Sequence, residues 1–244
     1  MLIRQLYDQD TFSFSYLLAD LQAKTAMIID PVKERLPLYL QLLKEFELSL
    51  HYAIDTHLHA DHITGMGALR EATSCKTLVG QSSKMDCADE QFADNDIIYC
   101  GNITLRALYT PGHTNDSYSF YIEGKQEHPS YVFTGDTLFV RGTGRTDFMG
   151  GSSEALYHSL FDRLLMLPDN TIVYPGHDYK GMNQSTIGEE KQYNPRLQVN
   201  SWQELAAIMD GLKLAKPEKF TAAINANTKC GELVMDQLLE TRSV

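Results

Sequence analysis

Five of the eight histidines in this 244-residue chain stand where an apolar segment runs into a turn rich in Gly, Pro or Asp. They are His57, His59 and His62 in THLHADH, His113 in TPGHT and His177 in YPGHD. Asp61 lies inside the first cluster, and Asp136 closes the segment VFTGD. Imidazole and carboxylate are ligands suited to zinc, iron or manganese, so the chemistry suggested is that of a metal centre. A single histidine at a strand end is more often exposed or satisfied within the core. Three histidines and an aspartate within six residues, with Leu58 and Ala60 between them suited to packing, are hard to explain as a solvated loop. His51, His128 and His158 have no such setting and are read as structural.

Strands that end on one edge of a sheet deliver side chains to a common point, so the elements around these residues matter. Phe14 to Leu18 and Thr25 to Asp30 suggest paired strands near a sheet edge. Leu36, Tyr39, Leu40, Leu43, Phe46 and Leu50 recur at helical spacing, and Pro37 is tolerable there only in the first turn. HYAIDT then reads as a short strand running into the first His cluster, and Gly65 to Glu71 as the opening of a helix. The middle of the chain alternates short strands with turns: KTLVG, DIIYC, ITLRALY, SYSFYI and SYVFTGD. A helix over Ser153 to Leu165, with Ser152 or Ser153 as its N-cap, precedes a last strand, TIVYPG. Gly188 to Arg196 is polar, and Trp202 to Leu212 reads as a helix with Leu205, Ile208, Met209 and Leu212 inward. No linker or repeat divides the chain. The expectation is one domain over residues 1–244 with a C-terminal helical extension from about 200.

Composition narrows the function. Lys and Arg total 21 against 32 Asp and Glu, a net charge of -11, and the basic residues form no stripe, which disfavours a nucleic-acid partner. No apolar run is long enough for a membrane span, and the N-terminus lacks the pattern of a signal peptide, so a cytoplasmic location is expected. Cys75, Cys87, Cys100 and Cys230 contain no C-x-x-C pair, which is read as usage in a reducing compartment. Cys230, a lone cysteine in TKCG, is read as a small buried hydrophobe.

THLHADHITG, TPGHT, FTGD and YPGHD, in this order, resemble the metallo-β-lactamase superfamily. That resemblance spans roughly Phe14 to Pro195 and implies an α/β fold, a four-layer αββα sandwich with metal bound at the edge of its paired sheets. Two branches compete. THLHADH, PGHT and GDTLF resemble glyoxalase II, which hydrolyses a glutathione thioester at a two-metal site. RGTGRTDF, HDYKG and STIGEEKQYNPRL resemble the persulfide dioxygenases more closely.

The dioxygenase resemblance implies an Fe(II)-dependent oxidation of glutathione persulfide by O2 and water to sulfite and glutathione. It implies one Fe(II) per chain, held by His57, His113 and Asp136, with three coordination positions open for oxygen and substrate sulfur. His59, Asp61, His62 and His177 would then orient the ligands and hydrogen-bond bound water. All seven ligands of a two-metal site are nevertheless present, so the metal count stays open. Arg145 matches a partner for a glutathione carboxylate, with a salt bridge to Asp147 as the competing reading, and Tyr179 matches a residue near the bound sulfur, with core packing as its competitor. A homodimer is admitted without any residue arguing for it. A catalytically idle metal-binding protein is the third reading, opposed by the complete ligand set.

Overall fold

The structure, a computed structural model, describes residues 1–125, 128–147, 149–215 and 220–232. Two six-stranded sheets face each other. The first runs in chain order: β1 (Leu2–Tyr7), β2 (Phe14–Asp20), β3 (Thr25–Ile29), β4 (Ser49–Ile54), β5 (Lys76–Gly80) and β6 (Glu90–Phe92). Between its strands come helices α1 (Leu36–Glu45) and α2 (Met66–Thr73). The second sheet contains β7 (Ile97–Cys100), β8 (Ile103–Tyr109), β9 (Tyr118–Ile122), β10 (Tyr131–Gly135), β11 (Ile172–Pro175) and β12 (Ser185–Thr186), again with neighbours in sequence paired in space. Helices α3 (Ser153–Phe161), α4 (Ile187–Tyr193), α5 (Trp202–Asp210) and α6 (Phe220–Asn227) complete the described chain.

The period-two alternation of strand side chains builds the layers. In β2 every residue is buried because both faces are covered. Phe14, Tyr16 and Leu18 enter the core between the sheets, whereas Leu17 and Ala19 pack with Tyr39 and Leu43 of α1 and Met66 and Leu69 of α2. The second sheet repeats the pattern: Leu105, Ala107, Phe120 and Phe133 face the first sheet, while Leu108, Tyr121 and Val132 meet α3, α4 and α5. The result is the four-layer αββα sandwich. Ser152 caps α3 by accepting from the Ala155 amide, and Pro37 sits in the first turn of α1.

Several boundaries differ from the sequence reading. The helix expected to continue to Leu50 stops at Glu45, and Glu47 turns left-handed at φ 54°. Leu50 belongs to β4 yet packs in the same apolar layer as α1, which explains the unbroken periodicity. The polar stretch from Gly188 is mostly helix, begun by Thr186, whose hydroxyl accepts from the Glu189 amide. The reading of Cys230 as a lone thiol is corrected: its sulfur is bonded to Cys87, 143 residues earlier, while Cys75 and Cys100 are free and buried. Among the described residues no helix is long and apolar enough to cross a membrane.

Candidate metal centre

The site forms where strands of both sheets end together. β4 leads into Asp55, Thr56 and His57, and the Thr56 carbonyl accepts from the Tyr118 amide of the opposite sheet at 2.9 Å. His113 lies in the connection between β8 and β9. β10 and β11 pair in parallel, so the residues following them, Asp136 and His177, emerge side by side. This approach needs two glycines. Gly135 has φ +47° and a Cβ there would lie 2.7 Å from Thr56 Oγ1; a Cβ on Gly176 would lie 2.5 Å from Asp136 Oδ1.

His57, His113 and Asp136, all buried, offer ligand atoms within 4.8 Å of one another. Their orientation follows from their other contacts. The Thr56 hydroxyl donates to Asp30 Oδ2 at 3.0 Å, so its oxygen accepts from His57 Nδ1 at 2.9 Å and Nε2 is the bare nitrogen. The Arg145 carbonyl accepts from His113 Nδ1 at 2.8 Å, and His113 Nε2 lies 3.5 Å from Asp136 Oδ2. Burial and the neighbouring His59 hold His57 well below the ordinary histidine range, in the neutral form a ligand requires. Burial opposes ionisation of Asp136, but His177, His113 and His57 outweigh it and keep the carboxyl below the usual range.

His59, Asp61, His62 and His177 surround this trio. His62 Nδ1 and His177 Nε2 both approach Asp61 Oδ2, at 2.9 and 3.1 Å, and the second ring nitrogen of His177 lies 2.8 Å from Asp136 Oδ1. His177 therefore spans two carboxylates, which raise its pKa well above the ordinary range despite burial. Burial likewise works against the His59 imidazolium, but Asp30, 3.0 Å from Nε2, prevails and lifts it to about 10. His59 Nδ1 and His62 Nε2 are buried ring nitrogens without a hydrogen-bond partner. Converging ligand atoms and two orphaned nitrogens fit a divalent cation.

Asp30, Thr56 and Asp116 were missed in the sequence. Asp30 holds the Thr56 amide at 2.7 Å as well as the contacts above, and Asp116 accepts from the Leu58 amide at 3.1 Å. A signal existed for Asp30 alone: it ends an apolar strand, as Asp136 does. His51, His128 and His158 are exposed, and His158 pairs with Asp162.

A cavity of about 840 Å³ opens over Asp61, His113, Asp136 and His177. Tyr179 is on its wall, 64 % exposed, with its ring stacked at 5.4 Å on His177, so core packing is excluded for it. Arg145 also lines the cavity, but Asp147 grips its guanidinium at 2.5 and 2.6 Å, and the carbonyls of Ala215 and Leu214 accept from it at 2.7 and 3.2 Å. Arg141 is tied to Glu189 and Glu190. Arg196 differs: Nη1 donates to the carbonyl and hydroxyl of Thr143, no carboxylate among the described residues pairs with it, and burial alone lowers its pKa. Lys180, also on the wall, donates to the Arg141 carbonyl at 3.0 Å.

Residues 9–177 match the family described as the metallo-beta-lactamase superfamily. The chain is 42% identical over 232 residues to the mitochondrial persulfide dioxygenase ETHE1 of Bos taurus, covering 95% of this chain and 89% of the relative. It is 34% identical over 217 residues to a probable hydroxyacylglutathione hydrolase of Schizosaccharomyces pombe, covering 77% of this chain and 83% of that one. The crystal structure of ETHE1 from Myxococcus xanthus superposes with a TM-score of 0.90 at 44% identity, over 95% of this chain and all of the other. The chain belongs to the metallo-beta-lactamase superfamily.

Proposed function

We propose that the protein is an Fe(II)-dependent persulfide dioxygenase acting on glutathione persulfide. The observation that carries this is a two-histidine, one-carboxylate trio, two of whose members, His113 and Asp136, line an open cavity, in a chain 42% identical over nearly its whole length to a persulfide dioxygenase. His57, His113 and Asp136 would hold the iron. When bound, Fe(II) supplies redox chemistry with O2 and, with only three protein ligands, positions for both reactants. The overall reaction converts the persulfide, O2 and water to the thiol, sulfite and two protons.

The surrounding residues have separable parts in this reading. His177 lies between Asp61 and Asp136 and fixes the orientation of Asp136. Tyr179 and Phe139 form a wall for the persulfide chain, and Arg196 with Lys180 receives the carboxylates of glutathione. Arg145 contributes to substrate binding chiefly by shaping the rim, since Asp147 holds its guanidinium. The reading includes a single domain over residues 1–244 with its C-terminal helices as an extension and admits a homodimer; the Cys87–Cys230 bond counts against the reducing, cytoplasmic compartment expected from the sequence.

A glyoxalase II-type thioester hydrolase is the second reading, favoured by the orphaned nitrogens of His59 and His62, which suit a second metal. Oxygen uptake with glutathione persulfide, measured beside thioester hydrolysis on protein of known metal content, separates the two. Oxygen consumption with sulfite formation at one iron per chain is expected. Thioester hydrolysis at two metals without oxygen uptake overturns the proposal.

A further inference from the structure

The turn bearing His57, His59, Asp61 and His62 belongs to no helix or strand, so its buried peptide groups need partners from elsewhere. The Leu58 amide uses Asp116, the Ile63 carbonyl takes the Lys33 amide, and the Gly65 amide reaches the Pro31 carbonyl. Three further contacts converge on one side chain. Asn227, fully buried at the end of α6, donates through Nδ2 to the carbonyls of His59 and His62 at 2.9 and 2.8 Å, and its Oδ1 accepts from the Thr64 amide at 2.9 Å. Both ends of the amide are thus spent on the turn.

The segment carrying Asn227 is itself fixed against the turn. The Gly67 amide donates to the Cys230 carbonyl at 3.0 Å, Lys33 Nζ donates to the Gly231 carbonyl at 2.5 Å, and Cys230 is bonded to Cys87. Gly231, at φ +85°, lies so near that a Cβ would stand 2.1 Å from the Thr64 carbonyl. His57 and His113 depend on other supports, the Thr56 hydroxyl and the Arg145 carbonyl.

We propose that Asn227 is a positioning residue of the metal centre: it sets the His59–His62 half of the turn before metal binds, while His57 and His113 are set independently of it. The inference rests on reading this turn as metal-bearing, and its test is made in the metal-free protein so that the two can fail separately. Nitrogen-15 spectra of the histidine rings would be compared between the wild type, Asn227→Ala and Asn227→Asp, with Ile224→Ala as a variant that loses packing on α6 but keeps the amide. Asn227→Asp retains volume and the acceptor for Thr64, and so preserves a folded comparison if Asn227→Ala does not fold. The His59 and His62 signals should move in both Asn227 variants and those of His57 and His113 should stay, with Ile224→Ala moving none selectively. Unchanged ring signals overturn the proposal, as does a shift of all the site histidines together with a lowered Tm, which marks general loosening. A selective shift in a protein without dioxygenase activity supports the positioning role and counts against the assigned reaction alone.

Discussion

Arg196 and Arg145 give the sharpest test of how the substrate is held. Glutathione carries about one net negative charge and the chain carries -11, so attraction must be local. Arg145 reaches the cavity but already serves Asp147 and two carbonyls, and a substrate carboxylate would have to displace the Asp147 fork. Arg196 reaches the same cavity with only Nη1 engaged among the described residues, and burial without an acid destabilises its charge until an anion arrives. Removing a hydrogen bond to a charged group costs about 1.5 to 3 kcal/mol, which is about 10- to 150-fold in kcat/KM at about 1.4 kcal/mol per decade. Arg196→Ala should therefore lower kcat/KM for glutathione persulfide by that factor, mostly through KM, with iron content unchanged. The hydropersulfide of 2-mercaptoethanol, which lacks carboxylates, should be turned over nearly as by the wild type. Arg145→Ala should behave differently, because its backbone carbonyl holds His113 Nδ1 at 2.8 Å: freeing this loop should cost iron retention and impair both substrates. The assignment is refuted if Arg196→Ala slows both persulfides equally, or if Arg145→Ala alone shows the substrate-selective rise in KM.

Replacing His57, His113 or Asp136 by Ala should abolish iron retention, whereas Asp61→Asn or His62→Ala should keep most iron and lose about 10- to 100-fold in activity or affinity; equal metal loss in all five points to a two-metal site. Protein loaded with Fe(II) should consume oxygen and protein loaded with zinc, which has no redox chemistry, should not; equal turnover with zinc removes iron from the reaction. Away from the site, Asp20 accepts from the amides of Asn102, Ala23 and Gln22 and from the Asn102 side chain, contacts that hold its pKa down to about 2 and join the β2–β3 turn to the opposite sheet. Asp20→Asn should destabilise by about 1.5 to 3 kcal/mol near neutral pH. Because the folded pKa is the lower one, that difference should be complete above the ordinary carboxylate pKa and vanish as pH falls towards 2, measured by urea melts across the range.

The histidines and Asp136 were legible because topology and chemistry coincide in the chain: each lies at the end of an apolar strand or in the turn beyond it, and parallel pairing of β10 with β11 brings two of those strand ends together. The supports of the same residues were not. Asp116 acts on Leu58 and Asn227 on His59, His62 and Thr64 across 58 and up to 168 residues, and no local pattern marks an asparagine at a helix end as a brace for a distant turn. The Cys87–Cys230 bond has the same character, being set by where α6 docks and not by spacing. β1 escaped notice because, as an edge strand, LIRQLY is only half-buried and carries no continuous apolar run. Arg145 shows a third kind of ambiguity. Its acid partner is two residues away, so sequence offered both a salt bridge and a substrate contact; the salt bridge is present, and the carbonyls of Leu214 and Ala215, which also accept from the guanidinium, could not be read from the chain. Residue type at a strand end thus identifies what can bind a metal. What fixes the bound geometry is contributed by distant segments, and so the mutations that separate recognition from support lie at Arg196 and Asn227.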